Sequence, residues 1–198
     1  MAAAPDADPT ASRAARPPYA EGRDALLDAA ARVVARDGFR GLTYRSVAQE
    51  AGTTHGLVSY HFRSRDRLIH ETAMKARREA IEGSALEPVS DRVEEFADHL
   101  ARLAAEAPDA QVFQFELALE ARRRAELEPE IRALYEEYYA VTARALTAIG
   151  VEEPSPALVR LVFAALDGLT LQQLIFGRPA DTEAAVAELQ ALLRRLAG

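Results

Sequence analysis

Apolar residues in this chain recur at helical spacing in long runs, and most runs are opened by a capping residue or a proline and closed by a glycine. Leu26, Leu27, Ala30, Val33 and Val34 form the first stripe, which stops at "RDGF", where Gly38 supplies a C-terminal cap. Thr43 then precedes a short helix with Val47, Ala48 and Ala51 on its inner face. Thr54 caps another from His55 to His61, and Ser64 caps a fourth from Arg65 to about Glu82, ending at Gly83. Ser90 is expected to cap a helix running to about Glu106, with Val93, Phe96, Ala97, Leu100 and Leu103 as its stripe. Pro108, Pro129 and Pro156 open three more, and the last runs from Asp181 to the C-terminus. Alanine and leucine dominate while β-branched residues come singly, so the fold class is all-α, with nine helices, three short and six longer. No fixed-period repeat is present.

Charge divides the chain in two. The net charge over 198 residues is −7, yet residues 1–70 hold ten arginines against eight acids. Between Arg40 and Leu68, five arginines face only Glu50 and Asp66. A basic end on an acidic body is the footprint of nucleic-acid contact. The chain has no cysteine, hence no disulfide framework or thiolate metal site, which accords with a reducing cytoplasm. The first residues carry acids and prolines without an apolar core and do not read as a signal peptide. The most apolar run, "LVFAALDGLTLQQLIFG", is broken by Asp167 and two glutamines, so no membrane span is expected. The histidines show no hydrolase spacing, and neither a phosphate loop nor a nucleophile elbow is present; no enzyme activity, cofactor or metal is expected.

The stretch "TYRSVAQEAGTTHGLVSYHF" meets the steric demands of a helix-turn-helix. Ala48 lies where a larger side chain would strike the next helix. Gly52 falls where the turn needs positive φ, and Val47, Ala51 and Val58 supply the shared apolar contact. His55, Leu57 and Ser59 are then expected on or near the outer face of the second helix of this motif, with Thr54 at its start and Tyr60 and His61 toward its end. Arg65 would open the following helix.

The run from Arg23 to Ile69 resembles the N-terminal domain of the TetR family of bacterial transcriptional regulators. The matching features are Gly38-Phe39, Thr43, Val47-Ala48, Ala51-Gly52, Tyr60-His61-Phe62 and Arg65. The resemblance implies a head over 21–65 behind a disordered arm at 1–20, in which Arg13 and Arg16 could reach DNA. It implies a ligand-binding and dimerisation body over 66–198, with the fourth helix as the bridge. Carried over by position, Thr43, Tyr60, His61 and Arg65 are expected on phosphates, with Arg45, His55, Leu57 and Ser59 near bases and Thr54 among the DNA-binding set. His55 stands where lysine, arginine or proline is frequent and Ser59 replaces a common tyrosine, so the operator is not inherited from relatives. The implied protein is a homodimeric repressor on near-palindromic double-stranded DNA, released by a small-molecule inducer. An adaptor without DNA binding and a small helical enzyme are the alternatives.

In the acidic part, "AQVFQFELALEA" is apolar around most of its circumference, as for a helix that packs on neighbours and also lines a cavity. Phe96, Leu100, Phe113, Leu117, Tyr135, Tyr138, Tyr139 and Phe163 are the side chains expected nearest an apolar ligand. Glu116 and Glu120 could receive a cation, or a metal with His99; pairing with Arg122 to Arg124 is the ordinary alternative. Gly168, Leu171, Leu189, Leu192, Leu193 and Leu196 are the expected dimer contacts on the last two long helices.

Overall fold

The computed structural model describes residues 19–82, 84–86 and 90–197. Among these residues there are nine α-helices and no strand. They are α1 (Tyr19–Gly41), α2 (Tyr44–Glu50), α3 (His55–His61), α4 (Arg65–Glu82), α5 (Leu100–Glu106), α6 (Pro108–Ala121), α7 (Glu128–Ala148), α8 (Pro156–Phe176) and α9 (Pro179–Arg194), with 3-10 turns at Val93–Glu95 and Ala125–Leu127. The expected arm falls on residues 1–18, Arg13 and Arg16 included, outside the described residues; residues 19–20 already belong to α1.

The local signals act as their chemistry dictates. Gly38, at φ +67°, breaks the helical run of α1. Thr43 and Ser46 form a reciprocal capping box at the start of α2, and the Thr54 hydroxyl accepts from the Leu57 N–H to start α3. Gly52 takes φ +63° between them, and the Thr53 N–H donates to the Ala48 carbonyl at 2.8 Å. Val47, Ala48 and Val58 close the space under this turn.

Two apolar cores result. The first joins α1 to α4 through Leu26, Val33, Phe39, Leu42, Phe62, Leu68 and Ile69. It also takes Phe113 and Leu117 from α6, the Phe39 and Phe113 ring centroids lying 6.0 Å apart. The second is built by α5, α7, α8 and α9 around Val141, Leu146, Val162, Phe163, Leu166, Val186 and Leu193. α8 is the one described helix long and apolar enough to cross a membrane, and here it packs on α5, α7 and α9.

One expected helix is not continuous. The segment after Ser90 forms the 3-10 turn Val93–Glu95, then passes through Ala97 at φ +54° before α5 begins at Leu100. Tertiary contacts override the helical spacing: the Gln190 side-chain amide donates to the carbonyls of Glu94 (3.0 Å) and Phe96 (2.9 Å), and Arg194 pairs with Glu94 at 2.8 Å. Carbonyls captured by α9 are not free for an α-helical ladder. Phe96 and Ala97 are still buried, in the second core.

Candidate functional site

The outer surface of the α2–α3 unit is assembled from residues the capping geometry turns outward. Thr43, Arg45, Thr54 and His55 are exposed, and Tyr60 is 69 % exposed. The His55 ring meets Tyr44 edge-on, with centroids 5.6 Å apart, while the Tyr44 hydroxyl donates to the Phe62 carbonyl and ties α2 to the end of α3. Leu57 and Ser59 are half-buried, and the Ser59 hydroxyl donates to the Gly56 carbonyl at 3.0 Å. His61 corrects the sequence expectation. It is only 8 % exposed, because the last turn of α3 rolls it inward beside Phe62. Burial, and then the charge of Arg23, holds its pKa below the ordinary 6.5, and the ring expected on a phosphate is turned inward instead.

Between the starts of α2, α3 and α4 lies an open depression of about 430 Å³, bounded by Thr43, Tyr44, Arg45, His55, Arg63, Ser64 and Arg65. Among the described residues its rim carries three guanidinium groups and no carboxylate. Arg45 and Arg63 make no ion pair with any described residue. Their neighbours differ: Arg32 and Arg36 both bind Glu50 at 2.8 Å, and Arg67 binds Glu71 at 2.8 Å. Arg65 is doubly anchored, its guanidinium donating to the carbonyls of Leu42 (2.8 Å) and Phe39. It therefore locks α4 to the α1–α2 turn as well as facing the depression. Sequence reasoning passed over Arg63, although its place in the basic run Arg63, Arg65, Arg67 was a usable signal.

A second concavity lies in the helical body, a cavity of about 70 Å³ among α4 to α8. Of the residues expected nearest a ligand, Leu100, Tyr135, Tyr138 and Phe163 line it. Tyr138 stacks on Phe163 at 4.9 Å and 26°, and Tyr135 meets Phe163 edge-on at 5.6 Å and 81°. Four expected residues do not line it. Phe113 and Leu117 face the first core, Phe96 packs in the second, and Tyr139 lies behind Phe163 at 5.5 Å. Because the apolar residues of α6 are spread round most of its circumference, the sequence could not say which side faces which space; Gln111, Gln114 and Phe115 take the cavity side. The Tyr138 hydroxyl donates to Gln114 at 2.8 Å.

Asp167, which the sequence showed only as a break in an apolar run, also lines this cavity. Burial alone raises its pKa from 3.8 to about 6. Burial first, and then the Asp167 charge, raises Tyr135 to about 12 and pushes Tyr138 up as well. Glu120 pairs with Arg123 at 3.3 Å and His99 faces Asp98 at 2.9 Å; among the described residues no acid or histidine cluster could hold a metal.

Residues 26–72 match the family model described as bacterial regulatory proteins, tetR family, and residues 91–198 match the model of the tetracyclin repressor-like C-terminal domain. The chain belongs to the TetR family. It is a DNA-binding transcriptional regulator. It is 29 % identical over 174 residues to the HTH-type transcriptional regulator BetI of Burkholderia thailandensis, covering 83 % of this chain and 87 % of that protein. The multidrug binding protein EbrR complexed with ethidium is 31 % identical, with a TM-score of 0.61 over 88 % of this chain and 98 % of EbrR. A TetR-family member from Streptomyces coelicolor A3 is also 31 % identical, with a TM-score of 0.61 over 89 % of this chain and 98 % of that one.

In this TetR-family chain the last two helices leave apolar stripes uncovered. On α8, Leu161, Leu171 and Ile175 are exposed along one line that passes through Gly168, and Phe176 is 64 % exposed at its end. On α9, Leu192 and Leu196 are exposed and Leu189 is half-buried. Leu193 corrects the expectation: at 1 % exposure it belongs to the chain's own second core, one position round from the outward stripe. A Cβ built on Gly168 would meet nothing within 4 Å, so no contact within the chain demands glycine there. Leu161, Ile175 and Phe176 were not among the expected contacts; their spacing on α8 was the available signal.

Proposed function

We propose that this TetR-family protein is a homodimeric repressor whose heads, residues 21–65, read a near-palindromic operator. In this reading a small molecule in the body, residues 66–198, releases it. The observation that carries the DNA side is the depression whose arginines have no acidic partner beside the outward residues of α3. Arg45, Arg63, Arg65, Thr43 and Tyr60 would bind phosphates, with Thr54 at the edge of the contact, while His55, Leu57 and Ser59 would lie near base edges. Two α3 helices about 34–36 Å apart would enter successive major grooves.

Dimerisation would come from the α8 and α9 stripes, which together form an apolar face too continuous to leave in water. Gly168 lies midway along it, where a partner's backbone could approach. Release would run through α6. One side of this helix lines the cavity, and the other is fixed to α1 by Phe113 and Leu117, so a ligand that displaces α6 shifts the head. The ligand must bind the displaced dimer more tightly than the DNA-bound one, since only differential affinity moves the equilibrium. EbrR, crystallised with ethidium, supports a small molecule as the effector.

The DNA assignment is tested by fluorescence polarisation on the chain's own upstream DNA over a salt series. Arg63→Ala should weaken binding across sequences and reduce the slope of log K against log salt by about 0.9, the value for one lost phosphate contact. An unchanged slope would remove Arg63 from the interface, and absence of any binding by the wild type would favour the adaptor reading.

A further inference from the structure

Among the described residues, the body cavity brings four aromatic rings and one carboxylate together with no positive side chain on its wall. Among the described residues none donates a hydrogen bond to Asp167 or pairs with it, although other acids of the body such as Glu120 and Glu130 have partners. A half-buried carboxylate without a counter-charge is a costly arrangement. An occupant that supplies the missing charge recovers that cost. An anion would meet repulsion, and a neutral molecule would leave the carboxylate unmatched.

We infer that this cavity is the binding site of a compact monovalent organic ammonium ion, with the Asp167 carboxylate as its counter-charge and the rings of Tyr135, Tyr138 and Phe163 as its cation–π wall. The inference names the ligand class of the effector cavity and so rests on the ligand-responsive reading above. One carboxylate sets the valence. The rings set the preference for an alkylated ammonium over a hydrated metal ion, because the faces of tyrosine and phenylalanine attract cations that shed water easily. Size follows from the volume: about 70 Å³ is less than half of the roughly 150 Å³ of an engineered cavity that takes benzene, so even a compact headgroup enters only as the walls move outward. Gln111 and Thr170 offer polar atoms for a hydroxyl or carbonyl carried by the rest of the ligand.

The test is calorimetric titration of the full chain with tetramethylammonium chloride, using sodium chloride for ionic strength and tert-butanol as the neutral match in shape. Tetramethylammonium should bind at least about tenfold more tightly than tert-butanol, the difference being the charge interactions. Asp167→Asn should weaken it by about thirtyfold or more, as loss of one partner of a desolvated charge pair does. Tyr135→Leu, a milder change at a half-buried ring, should weaken it several-fold while tert-butanol binding is unchanged. No binding of tetramethylammonium to the wild type, equal affinity for the two probes, or an unaltered affinity in a folded Asp167→Asn variant would each overturn the inference. Operator binding is measured separately. Charge-dependent tetramethylammonium binding that leaves DNA affinity unchanged would uphold the cation site and overturn the release mechanism instead.

Discussion

Asp167→Asn is expected to stabilise the ligand-free protein at neutral pH while weakening its cation site, and the size of the gain follows from the position of the carboxylate. Burial lifts its pKa from 3.8 to about 6. Each tenfold change in proton affinity is worth about 1.36 kcal/mol, so a fully sequestered group would cost the folded state about 3 kcal/mol when ionised. Asp167 is half-buried, and solvent screening lowers this to about 1–2 kcal/mol. The sign follows from proton binding: between 3.8 and about 6 the folded chain holds more protons than the unfolded chain. Stability therefore falls as pH rises through that window, and the whole penalty is present above it. Urea denaturation of wild type and variant at matched protein concentration would show the variant more stable by about 1–2 kcal/mol at pH near 7.5, with the gap nearly closed near pH 4. By heat, the neutral-pH gap corresponds to about 2–4 °C per kcal/mol for a chain of this size. A saturating organic cation should close or reverse the gap, since ligand at about a hundredfold excess over the wild-type Kd adds about 2.7 kcal/mol to the wild type and only about 0.9 kcal/mol to a variant that binds it thirtyfold more weakly. A variant less stable than wild type at neutral pH, or a gap that does not vary with pH, would refute the claim that this carboxylate is unmatched.

Leu192→Glu places a charge on the uncovered stripe of α9 without touching the chain's own core, and should convert dimer to monomer in sedimentation velocity with helicity retained; a dimer of undiminished stability would move the interface elsewhere. Phe113→Ala empties a fully buried site shared by α1 and α6 and should cost about 3–5 kcal/mol in urea denaturation. The same change should loosen coupling between effector and DNA, so that a ligand which still binds the body shifts operator affinity less than in wild type.

Much of the fold could be read from the chain because its boundaries are set locally. Thr43, Thr54 and Ser155 each accept a hydrogen bond from a backbone N–H at a helix start, and Gly38 and Gly52 take the positive φ their positions require. Failures came where a distant residue decided the outcome. Gln190 and Arg194, nearly a hundred positions away, break the helix expected after Ser90. The cavity was half legible. Tyr135, Tyr138 and Phe163 stand out as aromatic, but α6 has no polar side to give its orientation, so Phe113 and Phe115 could not be told apart. Asp167 gave no clue beyond interrupting an apolar run, because a carboxylate's lack of a partner is a property of space, not of spacing. His61 and Leu193 failed for the opposite reason: each adjoins a residue that does face outward, Tyr60 and Leu192, and a rotation of one position separates surface from core.

The pairing of Arg32 and Arg36 with Glu50 narrows the attractive field of the head to a patch around Arg45, Arg63 and Arg65. The chain as a whole carries −7, and that excess repels a phosphate backbone from most directions of approach. At physiological salt the screening length is about 8 Å, so capture requires the patch to arrive almost in register. Such a protein trades speed of encounter for a low tendency to linger on irrelevant chromosome.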